Sequence, residues 1–310
     1  MPSAKPKIVV VLGPTAVGKT ELSLQLAERL GAEIVSADSR LLYRGMDIGT
    51  AKPSAQQLAH ITHHLIDVAD PDATWSLADF QAAVETAISD ISERGRLPFL
   101  VGGSGQYLRA ILQGWSPPAL EADPALRRTL EAWAADIGKQ GLHDRLASLD
   151  PPAAARIDAR NLRRTVRALE VIFSTGHLFS AQRMQDQTRY ETLQVGLALP
   201  RPELYARIDA RIEAMLRAGW LDECRQLLAA GYSPDLPALS AIGYRQLIQH
   251  IKGEFSLEEA VVQIKRATRV FVRRQANWFK PDDPAIHWFE TGNAGMMVEI
   301  EKLIERFLSE

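Results

Sequence analysis

Apolar residues run unbroken from Ile8 to Leu12, and the texture returns at Glu33 to Ser36 and at Leu97 to Val101. Short continuous apolar runs bounded by glycine or proline read as strands buried on both faces. Between the first two, Glu21 to Leu30 sets Leu22, Leu26 and Leu30 on one helical stripe. Gly31 then stands where a helix ends on a C′ glycine. A strand–helix–strand unit this short predicts a parallel sheet. Further along, Leu77 to Gly95 reads as a helix with Ser76 as its N-cap, and Gln194 to Leu199 as a strand rejoining the sheet. Helical spacing marks Pro202 to Arg217, Trp220 to Ala230, Leu257 to Phe279 and Met296 to Leu308. Arg40 to Pro53, with a helical start, and Ser240 to Gln246 carry glycines and read as loops.

The texture changes after Trp115. Ser116-Pro117-Pro118 and Asp123-Pro124 are breakers, and no strand-like run follows from Pro124 to about Thr188. Alanine, leucine and arginine dominate there at helical spacing. The pattern predicts an α/β core over 1–115 and 190–310, with a helical domain inserted at 116–189. No fixed-period repeat appears, nor a helix-turn-helix, RRM or KH signature.

Composition narrows the class. The 310 residues, 46% hydrophobic and 24% charged, suit a globular protein of one large or two modest domains. A net charge of −2 gives no global attraction to nucleic acid, so any basic surface must be local. The single cysteine, Cys224, excludes an internal disulfide and a Cys-based zinc site; beside Leu221 and Leu227 it reads as a small buried hydrophobe. His60, His63 and His64 lack the partners of a zinc site and read as structural. No run approaches about 18 apolar residues and Met1 to Lys7 has no leader-like apolar stretch, so a cytoplasmic protein is expected.

The chemistry centres on Gly13-Pro14-Thr15-Ala16-Val17-Gly18-Lys19-Thr20, which fits G-x-x-x-x-G-K-[ST] between a strand and a helix. In a P-loop of this kind glycines let backbone N–H groups face a phosphate, and the helix N-terminus adds positive charge. Lys19 would reach the terminal phosphates and Thr20 Oγ would hold Mg²⁺. Ligands of such sheets bind outside the carboxyl ends of strands. Asp38 and Ser39 lie at one such end, one strand from the P-loop. Alone, Asp38 is a turn former; beside a P-loop it is a candidate for chemistry. Gly102-Gly103-Ser104-Gly105 is a second glycine-rich loop at another strand end, with Ser104 able to hydrogen-bond a phosphate.

Two basic stretches stand out. Arg156 to Glu170 holds Arg156, Arg160, Arg163, Arg164 and Arg167 against Asp158 and Glu170. Ala260 to Lys280 holds six Lys or Arg and no acid, with Phe271, Trp278 and Phe279 interleaved. Solvated faces would explain both; contact with RNA would too, arginine meeting phosphate and rings stacking on bases. Three classes remain on these residues: a transferase with RNA as acceptor, a small-molecule or nucleotide kinase using ATP, and a GTPase-type switch. The switch fits worst, because N-K-x-D and D-x-x-G are missing.

The runs A-D-S-R-L-L-Y-R-G-M-D-I-G-T-A-K-P (Ala37 to Pro53), H-H-L-I-D (His63 to Asp67), L-V-G-G-S-G-Q-Y (Leu100 to Tyr107), R-A-L-E-V (Arg167 to Val171), A-I-G-Y-R-Q (Ala241 to Gln246) and R-R-Q-A-N-W-F-K (Arg273 to Lys280) resemble, in order, the signature stretches of tRNA dimethylallyltransferases. The resemblance implies a P-loop NTPase-like parallel sheet flanked by helices with an all-helical insertion. It implies transfer of a dimethylallyl group from dimethylallyl diphosphate to N6 of the adenosine at tRNA position 37. A prenyltransferase acting on free adenine nucleotides is the neighbouring alternative. The P-loop would hold the prenyl diphosphate, with Mg²⁺ on it and Thr20 as ligand. Asp38 would be the general base, Ser104 would hydrogen-bond the bridging oxygen, and Lys19 and Arg211 (or Arg207) would meet the leaving charge. Contact with the anticodon stem-loop would fall to Asp38, Ser39, Arg40, Leu41, Arg163, Arg164, Arg167, Gly243, Tyr244, Arg245, Arg273, Arg274, Gln275, Trp278 and Lys280. A monomer is expected.

Overall fold

A computed structural model describes residues 5–116, 123–181, 184, 185 and 189–310. The breakers Pro117 and Pro118, and the expected end of the insertion near Thr188, lie outside these residues. The chain divides into two compact units. One holds the described residues of Met1–Leu112 and Thr188–Glu310, the other those of Gln113–Gln187.

The larger unit opens with β1 (Lys7–Leu12), α1 (Lys19–Leu30) and β2 (Ala32–Ser36). Gly31 adopts the left-handed conformation at the end of α1, as the pattern predicts. Next come α2 (Ala55–His60), β3 (His63–His64), α3 (Leu77–Glu93), β4 (Leu97–Gly102) and α4 (Gly105–Leu112). Ser76 caps α3, accepting from the Asp79 N–H at 3.2 Å while Asp79 accepts from the Ser76 N–H at 2.8 Å. The smaller unit contains β5 (Trp115–Ser116), α5 (Pro124–Leu149), α6 (Pro151–Ala154), α7 (Leu162–Thr175) and β6 (Met184–Gln185). The larger unit resumes with β7 (Glu191–Ala198), α8 (Arg201–Arg217), α9 (Trp220–Ala229), α10 (Tyr244–Ile251), α11 (Leu257–Gln275), β8 (Ile286–Glu290) and α12 (Met296–Ser309).

The sheet is six-stranded in the order β3-β2-β4-β1-β7-β8, and every pairing in it is parallel. β1 is central: Val9 faces Phe99 on one side and Leu193 on the other. Its residues Ile8 to Leu12 are fully buried, which is why the run has no polar interruption. β4 lies between β1 and β2, so the Asp38 strand is two positions from the P-loop strand rather than one. Buried β2 carries one acid, Glu33. The Arg94 guanidinium bonded to both its oxygens holds its carboxyl down to about 2, against the cost of burial, with His64 Nε2 adding a contact at 2.7 Å.

Five local expectations change. β8 was not evident in I-H-W-F-E, where polar His287 interrupts a short edge strand, yet it pairs in register with β7 from Gln194↔Ile286 to Ala198↔Glu290. Ser240 to Gln246 is not wholly loop, because α10 begins at Tyr244 with Gln246 Oε1 accepting the Gly243 N–H at 2.8 Å. α11 stops at Gln275, four residues short of Phe279. β6 lies in the stretch expected to lack strands and pairs antiparallel with β5. The start of Arg40 to Pro53 forms turns instead of a helix. Its middle is held by the carboxylate of Glu223, which accepts the N–H groups of Asp47, Ile48 and Gly49 at 2.7–3.2 Å and the Tyr244 hydroxyl at 2.5 Å.

The smaller unit has its own core of Leu130, Leu142, Leu146, Val166 and Leu169. Glu170, fully buried, accepts from Arg127 Nε and Nη2 and from the Asp123 N–H, all at 2.9 Å, and from Arg167 at 2.7 Å. Among the described residues no helix is long and apolar enough to cross a membrane.

Candidate active site

Parallel pairing carries the ends of β1, β2 and β4 to one edge of the sheet, and a cavity of about 500 Å³ opens there. The P-loop forms one wall. Gly13 has φ +145°, and a side-chain carbon there would lie 2.6 Å from the Leu197 carbonyl oxygen, so glycine alone fits. Ala16, also left-handed at φ 64°, holds the turn at some local cost. Thr291 supports the loop from β8, its Oγ1 donating to the Val17 carbonyl at 3.0 Å.

Lys19 Nζ donates to the Gly13 and Pro14 carbonyls at 3.0 and 2.8 Å. Burial brings its ammonium down to about 8; the Asp38 carboxylate works in the opposite direction, and the Arg211 cation adds to the lowering. Arg211, on α8, is likewise lowered by burial and raised by Asp38. One carboxylate thus faces two cations that the protein has partly withdrawn from water. Arg207 is exposed on α8 while Arg211 lines the cavity, so of the two it is Arg211 that stands near Asp38. Asp38 Oδ1 accepts the Arg40 N–H at 2.9 Å, which ties the carboxylate into the turn after β2. Ser104 Oγ accepts the Ser39 N–H at 3.4 Å, joining the second glycine-rich loop to the Asp38 turn. Thr20 is exposed in the first turn of α1.

Polar groups of Thr15, Asp38, Ser39, Ser104, Arg211 and Arg274 share the cavity with an apolar lining of Ile208, Ile212, Met215, Trp220, Ile264 and Phe271. Of the apolar set only Phe271 was singled out in the sequence, as a ring for stacking on bases; the other five were not anticipated as site residues. The set comes from α8, α9 and α11; apart from exposed Phe271 its members sit on ordinary helical core stripes, and only the fold shows that the stripes border a cavity.

Several expected RNA contacts are placed elsewhere. Tyr244 is fully buried, with its hydroxyl spent on Glu223, and is a core residue. Gln275 is 6% exposed, with both ends of its amide engaged inside the protein. Gly243 is buried as well. Arg167 bonds to Glu170 at 2.7 Å, so its charge serves the insertion's own core. Arg40 Nη1 donates to the Pro237 and Ala238 carbonyls. Leu41 is half-buried. On α11, Lys265 pairs with Glu213 at 2.7 Å and Arg269 with Asp209 at 2.5 Å, which removes two charges from the basic face. Arg163, Arg164, Arg245, Arg273, Arg274 and Lys280 are exposed. Trp278 lines the cavity beneath Arg109, whose guanidinium carbon is 5.9 Å from the ring centroid. Cys224 is buried, and burial pushes its thiol up to about 12.

Residues 41–282 match the family model described as IPP transferase. The chain is 52% identical over 273 residues to the tRNA dimethylallyltransferase of Roseiflexus sp. (strain RS-1), covering 88% of this chain and 90% of that protein. It is 43% identical over 303 residues to the tRNA dimethylallyltransferase of Thermomicrobium roseum, covering 98% and 92%. The fold is similar to the crystal structure of the tRNA isopentenylpyrophosphate transferase from Bacillus halodurans, with TM-score 0.73, 40% identity and coverage of 98% and 97%. It is also similar to a eukaryotic dimethylallyltransferase acting on tRNA, with TM-score 0.81, 25% identity and coverage of 98% and 80%.

The lowered Lys19 gives a prediction. Between pH 8 and 10.5 the unfolded chain keeps a proton that the folded chain has released, so this group makes stability rise with pH across that window. Lys19→Met removes the rise. Urea titrations should show wild type gaining on Lys19→Met by about 1 kcal/mol from pH 8 to 10, a figure discounted for the water that reaches the cradle. A difference independent of pH would contradict the assigned burial.

Proposed function

Because the chain belongs to the IPP transferase family, we propose that its cavity performs the prenyl transfer for which its relatives are named. The enzyme transfers a dimethylallyl group from dimethylallyl diphosphate to an adenosine of tRNA. The acceptor atom is N6 of the adenosine 3′ of the anticodon, at tRNA position 37. The observation that carries this assignment is one carboxylate, Asp38, acting on two partly desolvated cations, Lys19 and Arg211, across a cavity that has both a phosphate-binding loop and an apolar lining.

The residues divide the reaction between them. The exocyclic amine of adenine is a weak nucleophile, and it must lose a proton as its bond to C1 of the prenyl group forms. Asp38 takes that proton. The C1–oxygen bond breaks with its electron pair leaving on diphosphate. The P-loop amides from Gly13 to Thr20, Lys19 and Arg211 meet the departing charge, and Ser104 donates to the bridging oxygen. Ser39 stands beside Asp38 at the adenine. The apolar wall of Ile208, Ile212, Met215 and Phe271 receives the prenyl group and keeps water from the allylic carbon. An allylic centre tolerates developing positive charge, so alignment and charge stabilisation suffice.

A divalent cation on the diphosphate suits the donor set. No cluster of three or more His, Cys, Asp or Glu able to hold a metal occurs among the described residues, while Thr20 is exposed at the start of α1. Mg²⁺ is bound in this manner, by few protein groups together with substrate phosphates. Thr20 would hold the ion, which would neutralise leaving-group charge.

Removing one stacked adenosine from the anticodon loop costs a few kcal/mol. Exposed Arg273 and Arg274 at the end of α11, Lys280 beyond it, Arg245 on α10, Trp278 by stacking, and Arg163 and Arg164 on the inserted domain offset this cost by contacting RNA. We place the enzyme in the cytoplasm, acting as a monomer.

Two outcomes check the assignment. Asp38→Asn should lower kcat for transfer by about 100-fold while leaving the Kd for an anticodon stem-loop within about twofold. Loss of binding at unchanged turnover would make Asp38 a recognition residue. Arg273→Ala with Arg274→Ala should reduce the slope of log Kd against log salt by about 1.4, two phosphate contacts at about 0.7 each. An unaltered slope would make both structural.

A further inference from the structure

Gln275 is the last residue of α11, within the stretch whose resemblance points to tRNA, yet its side chain is buried. Its Oε1 accepts the Thr15 N–H of the P-loop at 3.1 Å, and its Nε2 donates to the Gly103 carbonyl of the second glycine-rich loop at 2.9 Å. The amide orientation follows from the partners, since the flipped amide would set donor against donor and acceptor against acceptor. The two loops leave neighbouring parallel strands, β1 and β4, at the same edge of the sheet. Gln275 packs closely against Gly103. A side-chain carbon at Gly103 would lie 2.5 Å from Gln275 Nε2, 3.0 Å from the Gly13 carbonyl oxygen and 3.6 Å from Lys19 Nζ.

This arrangement needs one donor and one acceptor on a single short group, which the Gln275 carboxamide supplies without charge. Glutamate would turn an acceptor toward the Gly103 carbonyl. Methionine would fill the space and leave the Thr15 N–H and the Gly103 carbonyl without partners, both beside the phosphate cradle. The neighbouring Arg274 lines the cavity, so the helix that carries the bridge also borders the site.

We propose that Gln275 is a positioning residue for the diphosphate cradle: its amide cross-links the two glycine-rich loops and thereby sets affinity for the donor, rather than contacting RNA. The donor's identity rests on the proposed prenyl transfer; the cross-link itself acts on any diphosphate held there. Movement of the end of α11 would pass to both loops through this one amide.

Gln275→Met and Gln275→Asn test the idea. The first keeps length without either hydrogen-bonding end; the second keeps both ends one methylene too short to span the loops. Three quantities are measured on each folded variant, verified by circular dichroism: KM for dimethylallyl diphosphate, Kd for inorganic diphosphate, and Kd for an anticodon stem-loop. The first two should rise about tenfold, the cost of leaving buried groups unpaired. The stem-loop Kd should stay within about twofold, and kcat should change less than the donor KM. If Gln275→Met does not fold, Gln275→Asn decides. Weaker stem-loop binding with unchanged diphosphate binding would overturn the proposal and return Gln275 to RNA contact. Wild-type values throughout would overturn it too. Failure of wild type to prenylate RNA would instead count against the functional reading, and the diphosphate Kd would still decide the role of Gln275.

Discussion

Parallel pairing of β4 with both β1 and β2 is the constraint from which the site follows. Three strands running the same way must end at one edge, so the P-loop, the second glycine-rich loop and the Asp38 turn share one space although they lie up to about a hundred residues apart in sequence. β4 in the middle gives Ser104 its position, within 3.4 Å of the Ser39 N–H on one side, while Gln275 ties the same loop to Thr15 on the other. Breaking the strand order would scatter the groups even if every motif were kept.

Charge is the second organising term. The fold holds Lys19 and Arg211 where burial works against both cations, and Asp38 offsets part of that cost. An anionic diphosphate entering the cradle would supply the rest, so the site is arranged for a ligand more negative than the protein itself provides. Arg211 lines the cavity and Lys19 lies against the Gly13 and Pro14 carbonyls of the P-loop, whereas Lys265 and Arg269 are paired with Glu213 and Asp209.

Sequence made the local parts of this legible. A strand, a glycine-rich loop and a helix start are written within a few residues, and Gly13, Lys19, Asp38 and the Gly102–Gly105 loop could be located because each lies beside a strand end. The less legible parts depend on distant packing. β8 is short and its apolar run is broken by His287, so it does not stand out until β7 pairs with it. Tyr244, Arg167 and Gln275 lie in stretches whose resemblance points to RNA, yet a string of letters does not tell which residue of a helix turns inward; Glu223, Glu170 and the two loops claim them. Likewise Ile208, Ile212 and Met215 carry a helical stripe whether it faces solid core or a cavity.

The destination of the prenyl group separates the possible reactions most directly. Dimethylallyl diphosphate carrying radiolabel in its prenyl group would be incubated with the enzyme, Mg²⁺ and an anticodon stem-loop bearing adenosine at position 37, in parallel with AMP and with γ-labelled ATP. Label on N6 of that adenosine, with none on AMP and no phosphate moved from ATP, is the predicted result. Label on AMP alone would move the acceptor to free nucleotides. Phosphate transfer without prenyl transfer would contradict the account and make the P-loop that of a kinase.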